Sequence, residues 1–264
     1  MSDWLTNDVA VVTGGASGIG REISLLLAEH GADVVIADLQ SEPRSGGTAT
    51  HEKIGDEHGQ QSEFVECDVT NNDDLERTVD AAEELGGISI MVNNAGMSQS
   101  DDFLETTEAE FQQIMDVNVK GPFFGSQLAA KRMIDADRDG RIVNVASISG
   151  ITGRGTGVRY CTSKGAVRLM TYALASALGP RGIRTNAVCP GVIDTGMTRD
   201  DLGFFESDAA NEYREQSPLQ RVGVPEDIAG AVLYLVSPLA SYVNGESLVV
   251  DGGATNTWGG VADE

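Results

Sequence analysis

The stretch Val9-Ala-Val-Val-Thr-Gly-Gly-Ala-Ser-Gly-Ile-Gly20 decides the fold. Its first five residues form a short apolar run that ends in glycines, as a fully buried strand does. Beyond Gly20, apolar Ile23, Leu26 and Leu27 recur at helical spacing until Gly31 ends the pattern. A glycine-rich turn between a strand and a helix is the setting in which backbone approaches a pyrophosphate, with the unpaired N–H groups of the helix start facing the anion. Taken alone, such a turn also serves merely to reverse the chain. In this setting Gly14, Gly18 and Gly20 become candidates for a dinucleotide-binding loop.

Outward from this loop, strands and helices alternate to the end of the chain. Val34–Ala37, Phe64–Cys67, Ile88–Val92, Arg141–Val145, Arg184–Val188 and Leu248–Val250 read as strands. Asp73–Leu85, Glu108–Met133, Val158–Leu178 and Pro225–Val236 read as helices, and residues 46–59 as a loop-plus-helix excursion. The expected fold class is α/β: a single-domain, Rossmann-type, doubly wound parallel sheet of about seven strands spanning 1–264. Residues 195–224, charged and weakly periodic, are expected to leave the sheet as an excursion.

Composition narrows the function classes. Asp and Glu total 41 against 18 Lys and Arg, a net charge of −23, and only four of the cations are Lys. That charge disfavours nucleic-acid binding and suits a salt-loving source. No apolar run is long enough to span a membrane, and Met1–Asp8 lacks a signal pattern, so a cytoplasmic protein is expected. Cys67, Cys161 and Cys189 fit neither a metal site nor a disulfide framework, so no metal is expected.

Asp38 closes the second strand, 18 residues past Gly20. A carboxylate there can accept the adenosine ribose hydroxyls and repel a 2′-phosphate, although an Asp at a strand end also simply starts turns. Thr13-Gly-Gly-Ala-Ser-Gly-Ile-Gly20, Asn93-Asn-Ala-Gly96, Tyr160-Cys-Thr-Ser-Lys164 and Pro190-Gly191 follow in this order. Together they resemble the short-chain dehydrogenase/reductase family over residues 8–253. The resemblance implies further cofactor contacts: Ser17 and Ile19 near the phosphates, Asp68 and Val69 at the adenine, Asn94 along the cofactor, and Ile193 and Thr195 at the nicotinamide carboxamide. Family members that prefer NADP often carry a basic residue in the glycine loop or just after the second strand. Here those positions hold Ser17 and Leu39, so the expected cofactor is NAD.

Tyr160 and Lys164 lie four residues apart on one helix face, a spacing common on exposed faces. It has a chemical use: a free phenol titrates at about 10, and a nearby ammonium favours the phenolate. The resemblance makes Tyr160 the acid–base group, Lys164 its support and a contact to the nicotinamide ribose, Ser147 the partner of the substrate oxygen, and Asn118 the holder of a water linked to the Lys. Where a serine usually precedes the catalytic one, this chain has Ala146. Ser149 and Ile151 on one wall, and Met197, Phe204 and Phe205 on the excursion, are expected to line the substrate pocket. The excursion reads either as a lid or as a surface segment whose aromatics fill a satellite core. Arg154 and Arg159 are expected to face either solvent or a subunit contact.

The activity implied is hydride transfer between a secondary alcohol, sugar or polyol and NAD, in a homotetramer. The alternatives are a 3-oxoacyl-thioester reductase and, outside enzymes, a cofactor-sensing binding protein.

Overall fold

The computed structural model describes residues 3–100 and 102–257, so both ends of the expected 1–264 unit lie outside them. Seven parallel strands form one sheet: β1 (Val9–Thr13), β2 (Asp33–Asp38), β3 (Ser62–Glu66), β4 (Ile90–Asn93), β5 (Gly140–Val145), β6 (Ile183–Pro190) and β7 (Ser247–Val250). Their order is β3-β2-β1-β4-β5-β6-β7. The winding reverses between β1 and β4, and ligand crevices open beyond strand ends at such a switch point.

Strand residues alternate between two apolar layers. Ala10, Val12, Val34, Ile36, Ile90, Val92, Val143 and Val145 enter the layer shared with α1 (Gly18–Glu29) and α8 (Pro225–Val236). Val9, Val11, Val35, Met91 and Ile142 face the other way, towards α3 (Asn72–Glu84) and α5 (Gly121–Asp135). A period of two with both faces buried explains why these strands read as unbroken apolar runs. The layers keep the sheet rigid and fix the strand ends from which the site residues project.

The remaining helices are α2 (Thr50–His58), α4 (Glu108–Met115), α6 (Val158–Leu178) and α7 (Ala209–Gln216). The expected continuous helix Glu108–Met133 is interrupted by a π-helical turn, Asp116–Lys120, between α4 and α5. Pro122 explains the break: it has no N–H to give to the preceding turn, and its ring crowds the carbonyl four residues back. The widened turn carries Asn118 inward to full burial. Residues 195–224 contain a π-helical turn (Met197–Asp201), a 3₁₀ turn (Phe204–Glu206) and α7. Among the described residues, no helix is long and apolar enough to cross a membrane.

Candidate active site

A cleft of about 1720 Å³ runs along the carboxyl ends of the strands, from Asp38 at one end to Tyr160 at the other. The glycine loop forms its floor. Gly14 has φ +66°, in the left-handed region that favours glycine. At Gly20 any Cβ would stand 2.1 Å from the Gly14 carbonyl oxygen, so only glycine lets the turn fold back on itself. Ser17 is the N-cap of α1, but its side chain does not cap the helix; its Oγ instead accepts the Arg44 amide at 2.8 Å. The first turn of α1 carries no acidic residue. An uncapped helix start thus opens into the cleft, as an anion such as a pyrophosphate requires.

Asp38 accepts the Ala16 amide on Oδ2 (3.0 Å) and the Leu39 amide on Oδ1 (2.8 Å). Burial raises its carboxyl above the ordinary range, and these amides and Arg44 hold it down in part. Asp68 and Val69 line the cleft beyond β3, with the Asp68 carboxylate accepting the Thr70 amide and hydroxyl. The Asn94 side chain donates to the Thr13 and Gly14 carbonyls (2.9 and 3.2 Å) and so fastens the glycine loop to the end of β4. Ile193 and Thr195 line the opposite wall, where the Thr198 hydroxyl donates to the Ile193 carbonyl at 2.7 Å.

At the chemical end, Ser147 leaves β5 in an extended conformation and accepts the Ser149 amide at 3.1 Å. Ser147 and Tyr160 both line this end of the cleft, the Ser147 hydroxyl near enough to act on the Tyr160 phenol. Lys164, one turn further along α6, is buried and donates from Nζ to the Val145 carbonyl at 2.9 Å. Asn118 accepts the Met97 amide (2.8 Å) and donates to the Met97 carbonyl and Ser163 Oγ (2.9 and 3.0 Å), locking the segment after Gly96 against α6.

The electrostatics differ from expectation. The phenol of Tyr160 is pushed above its ordinary value, chiefly by burial, while the neighbouring Ser147 hydroxyl and then the charge of Arg154 pull it partly back. Lys164 is not what lowers it. Its Nζ sits over the ring, 5.8 Å from the centroid, and points to the Val145 carbonyl. Burial lowers Lys164 itself to about 8. The phenol therefore rests protonated.

Of the expected pocket residues, Ser149, Met197 and Phe204 line the cleft. Ile151 does not; it lies past the 3₁₀ turn Ile148–Gly150, 37% exposed and turned outward. Phe205 is also outside the lining, packed edge-on against Phe204 with the Arg199 guanidinium over its ring. Gly20 shapes the loop from behind, and Asn118 braces the site from within the core. Arg154 lines the cleft and, among the described residues, makes no hydrogen bond or ion pair, whereas Arg159 is buried against Gln99 and Glu110. Arg44 also lines the cleft, although sequence reading overlooked it: it lies six positions past Asp38 in a loop with no periodicity. Among the described residues, no cluster of His, Cys, Asp and Glu is arranged to hold a metal.

Known proteins resemble this chain over most of its length. The family model described as Enoyl-(Acyl carrier protein) reductase matches residues 14–255. An L-2,3-butanediol dehydrogenase of Corynebacterium glutamicum is 41% identical over 254 residues, covering 93% of this chain and 97% of that protein. A 3-oxoacyl-[acyl-carrier-protein] reductase of Aquifex aeolicus is 37% identical, covering 94% and 98%. A structure described as a 2-deoxy-D-gluconate 3-dehydrogenase from Agrobacterium tumefaciens, with bound NADP, superposes with a TM-score of 0.86 at 33% identity, covering 97% and 99%. The chain is a nicotinamide-cofactor oxidoreductase and belongs to the short-chain dehydrogenase/reductase family.

Proposed function

We propose that this protein is an NAD-dependent dehydrogenase that interconverts a secondary alcohol, sugar or polyol with its ketone or lactone, using Tyr160 as acid and base. The observation that carries this reading is that Ser147 and Tyr160, two neighbouring hydroxyls, line the same cleft as Asp38. The cleft has the length, the open helix start and the ribose-accepting carboxylate that a dinucleotide needs. When bound, that cofactor would supply or accept the hydride. Gly14, Ser17, Gly18, Ile19, Gly20, Asp38, Asp68, Val69, Asn94, Ile193 and Thr195 are the residues assigned to hold it.

Ser147 and Tyr160 orient the substrate oxygen between them. In the reductive direction the resting, protonated phenol gives its proton to that oxygen; in the oxidative direction the phenolate takes it back. Lys164 is held over the ring by its bond to the Val145 carbonyl, and Asn118 keeps α6 in register with the segment after Gly96. Asp38 supports NAD over NADP, because a 2′-phosphate would meet it as a like charge. Among the described residues Arg154 is the one cleft-lining cation with neither a hydrogen bond nor an ion pair, which suits a neutral, oxygen-rich substrate better than a phosphorylated or coenzyme-linked one.

The excursion from Met197 is proposed as a lid and the acidic surface as a high-salt adaptation, in a cytoplasmic protein. A homotetramer is proposed too. Phe111, Phe123 and Leu169 are exposed on α4, α5 and α6, and Leu239 and Tyr242 beyond α8, apolar surface that subunits would cover. A light-scattering mass near the 27.8 kDa monomer would exclude it.

The test is a screen for NAD reduction over sugars, polyols, small secondary alcohols and 3-hydroxyacyl thioesters at low and high salt. Preferred turnover of the thioesters would favour the acyl-thioester reductase, and no turnover at all a sensor. With the best substrate, Tyr160→Phe is expected to lose activity by about 10²–10⁴-fold while still binding the dinucleotide. Retention of more than about a tenth of the activity would remove Tyr160 from the acid–base role.

A further inference from the structure

We propose that Asp201, on the turn that starts the excursion, sets cofactor preference by occupying Arg44, the cation best placed to receive an adenosine 2′-phosphate. This rests on the dinucleotide reading of the cleft.

The geometry joins three parts of the chain. The Arg44 amide donates to Ser17 Oγ at 2.8 Å, which pins this residue of the β2–α2 loop beside the glycine loop. Its guanidinium meets Asp201 through two parallel bonds, Nη1 to Oδ2 at 2.9 Å and Nη2 to Oδ1 at 3.0 Å. On the way it passes Gly196, where a Cβ would lie 3.7–3.8 Å from the Arg44 Nη1 and Cδ. Asp38, at the end of β2, is close enough for its carboxyl to feel the Arg44 charge.

A dinucleotide whose adenosine ribose sits at Asp38 would carry any 2′-phosphate out towards the β2–α2 loop. A free Arg44 offers that dianion a planar pair of donors. With its Nη1–Nη2 edge committed to Asp201 that planar pair is taken and its charge is countered, and Asp201 and Asp200 add negative charge to the same mouth. The other cations at this end and along the lid are also engaged: Arg21 donates to Thr50 Oγ1 at 2.8 Å, and Arg199 is paired with Asp194. Asp38 repels the phosphate from one wall, and Asp201 removes its counter-charge from the other. The excursion thus acts on cofactor choice as well as on the substrate end. No local pattern near Asp38 reveals this, because the partners are 157 positions apart.

The experiment uses the full-length protein and two half-cofactors, 2′,5′-ADP for the NADP side and 5′-AMP for the NAD side, titrated calorimetrically. Steady-state kcat/KM for NADP and NAD is measured in parallel. Asp201→Asn is expected to tighten 2′,5′-ADP by about tenfold relative to 5′-AMP, and to raise the NADP-to-NAD ratio of kcat/KM by a similar factor. The double variant Arg44→Gln/Asp201→Asn should lose that gain. An unchanged ratio in Asp201→Asn overturns the proposal. So does a gain that survives in the double variant, because lost repulsion rather than released Arg44 would then be its cause. Thermal melts establish that each variant is folded, and Asp201→Ser serves as a second release of Arg44. The wild-type ratio judges the NAD reading separately. A wild type that prefers NADP refutes that reading, and the change on releasing Arg44 still decides the role of Asp201.

Discussion

Lys164 should cost this protein stability, and the cost should vanish with rising pH. Its side chain is 5% exposed, and burial lowers its pKa from 10.5 to about 8. At about 1.36 kcal/mol per pH unit, that difference amounts to about 3.4 kcal/mol of destabilisation wherever the lysine is charged in both states. The sign follows from proton counting. Between pH 8 and 10.5 the unfolded chain binds more protons than the folded one, so wild-type stability climbs with pH through that window. Replacing Lys164 by Met removes the term. It also removes the hydrogen bond to the Val145 carbonyl, but that loss is nearly independent of pH and cancels when two pH values are compared. The stability of Lys164→Met relative to wild type should therefore fall by about 2.5 kcal/mol between pH 7 and pH 10. The assay is urea unfolding of the cofactor-free protein at both pH values, in molar KCl and at fixed protein concentration. A relative stability that stays flat to within about 0.5 kcal/mol, or that moves the other way, refutes the buried-ammonium argument. Activity should be lost in the variant at every pH.

Two further outcomes follow from the surface and the excursion. A net charge of −23 repels itself, and molar salt shortens the Debye length to about 3 Å, so the melting temperature should rise in molar KCl; an unchanged or lower value refutes this. Phe204→Ala opens the cleft wall, whereas Phe205→Ala removes only the ring packed behind it. The first should raise KM for the alcohol and shift preference across the panel with dinucleotide affinity unchanged, and the second should act mainly on stability. Equal kinetics for wild type and Phe204→Ala would reduce the excursion to a satellite core.

How much of this was legible in the sequence depends on how local each feature is. The α6 helix spans Val158–Leu178 and α8 spans Pro225–Val236, as their patterns predict, because each is bounded by residues that punctuate helices. The strands were legible because burial on both faces leaves an apolar run. The break at Asp116–Lys120 had a signal in Pro122, but apolar spacing continues across it and hides the change of pitch. Side-chain direction in irregular segments was not legible. Ile151 and Phe205 sit beside residues that line the cleft, yet neither lines it, because no period fixes which way a turn residue points.

The protonation state of Tyr160 was the hardest to read. Spacing four apart places an ammonium near a phenol, but it says nothing of burial or of where the amine is bonded. In the fold, the strand-end carbonyl of Val145 takes the Lys164 Nζ, and the enclosing walls raise the phenol more than Ser147 and Arg154 lower it. The resting phenol is therefore protonated, the form that the proposed proton donor needs. In the proposed oxidative direction, added positive charge near the ring would favour ionisation of the phenol. A cationic nicotinamide in this cleft would bring that charge, so the direction of reaction and the ionisation of Tyr160 are coupled through the same site.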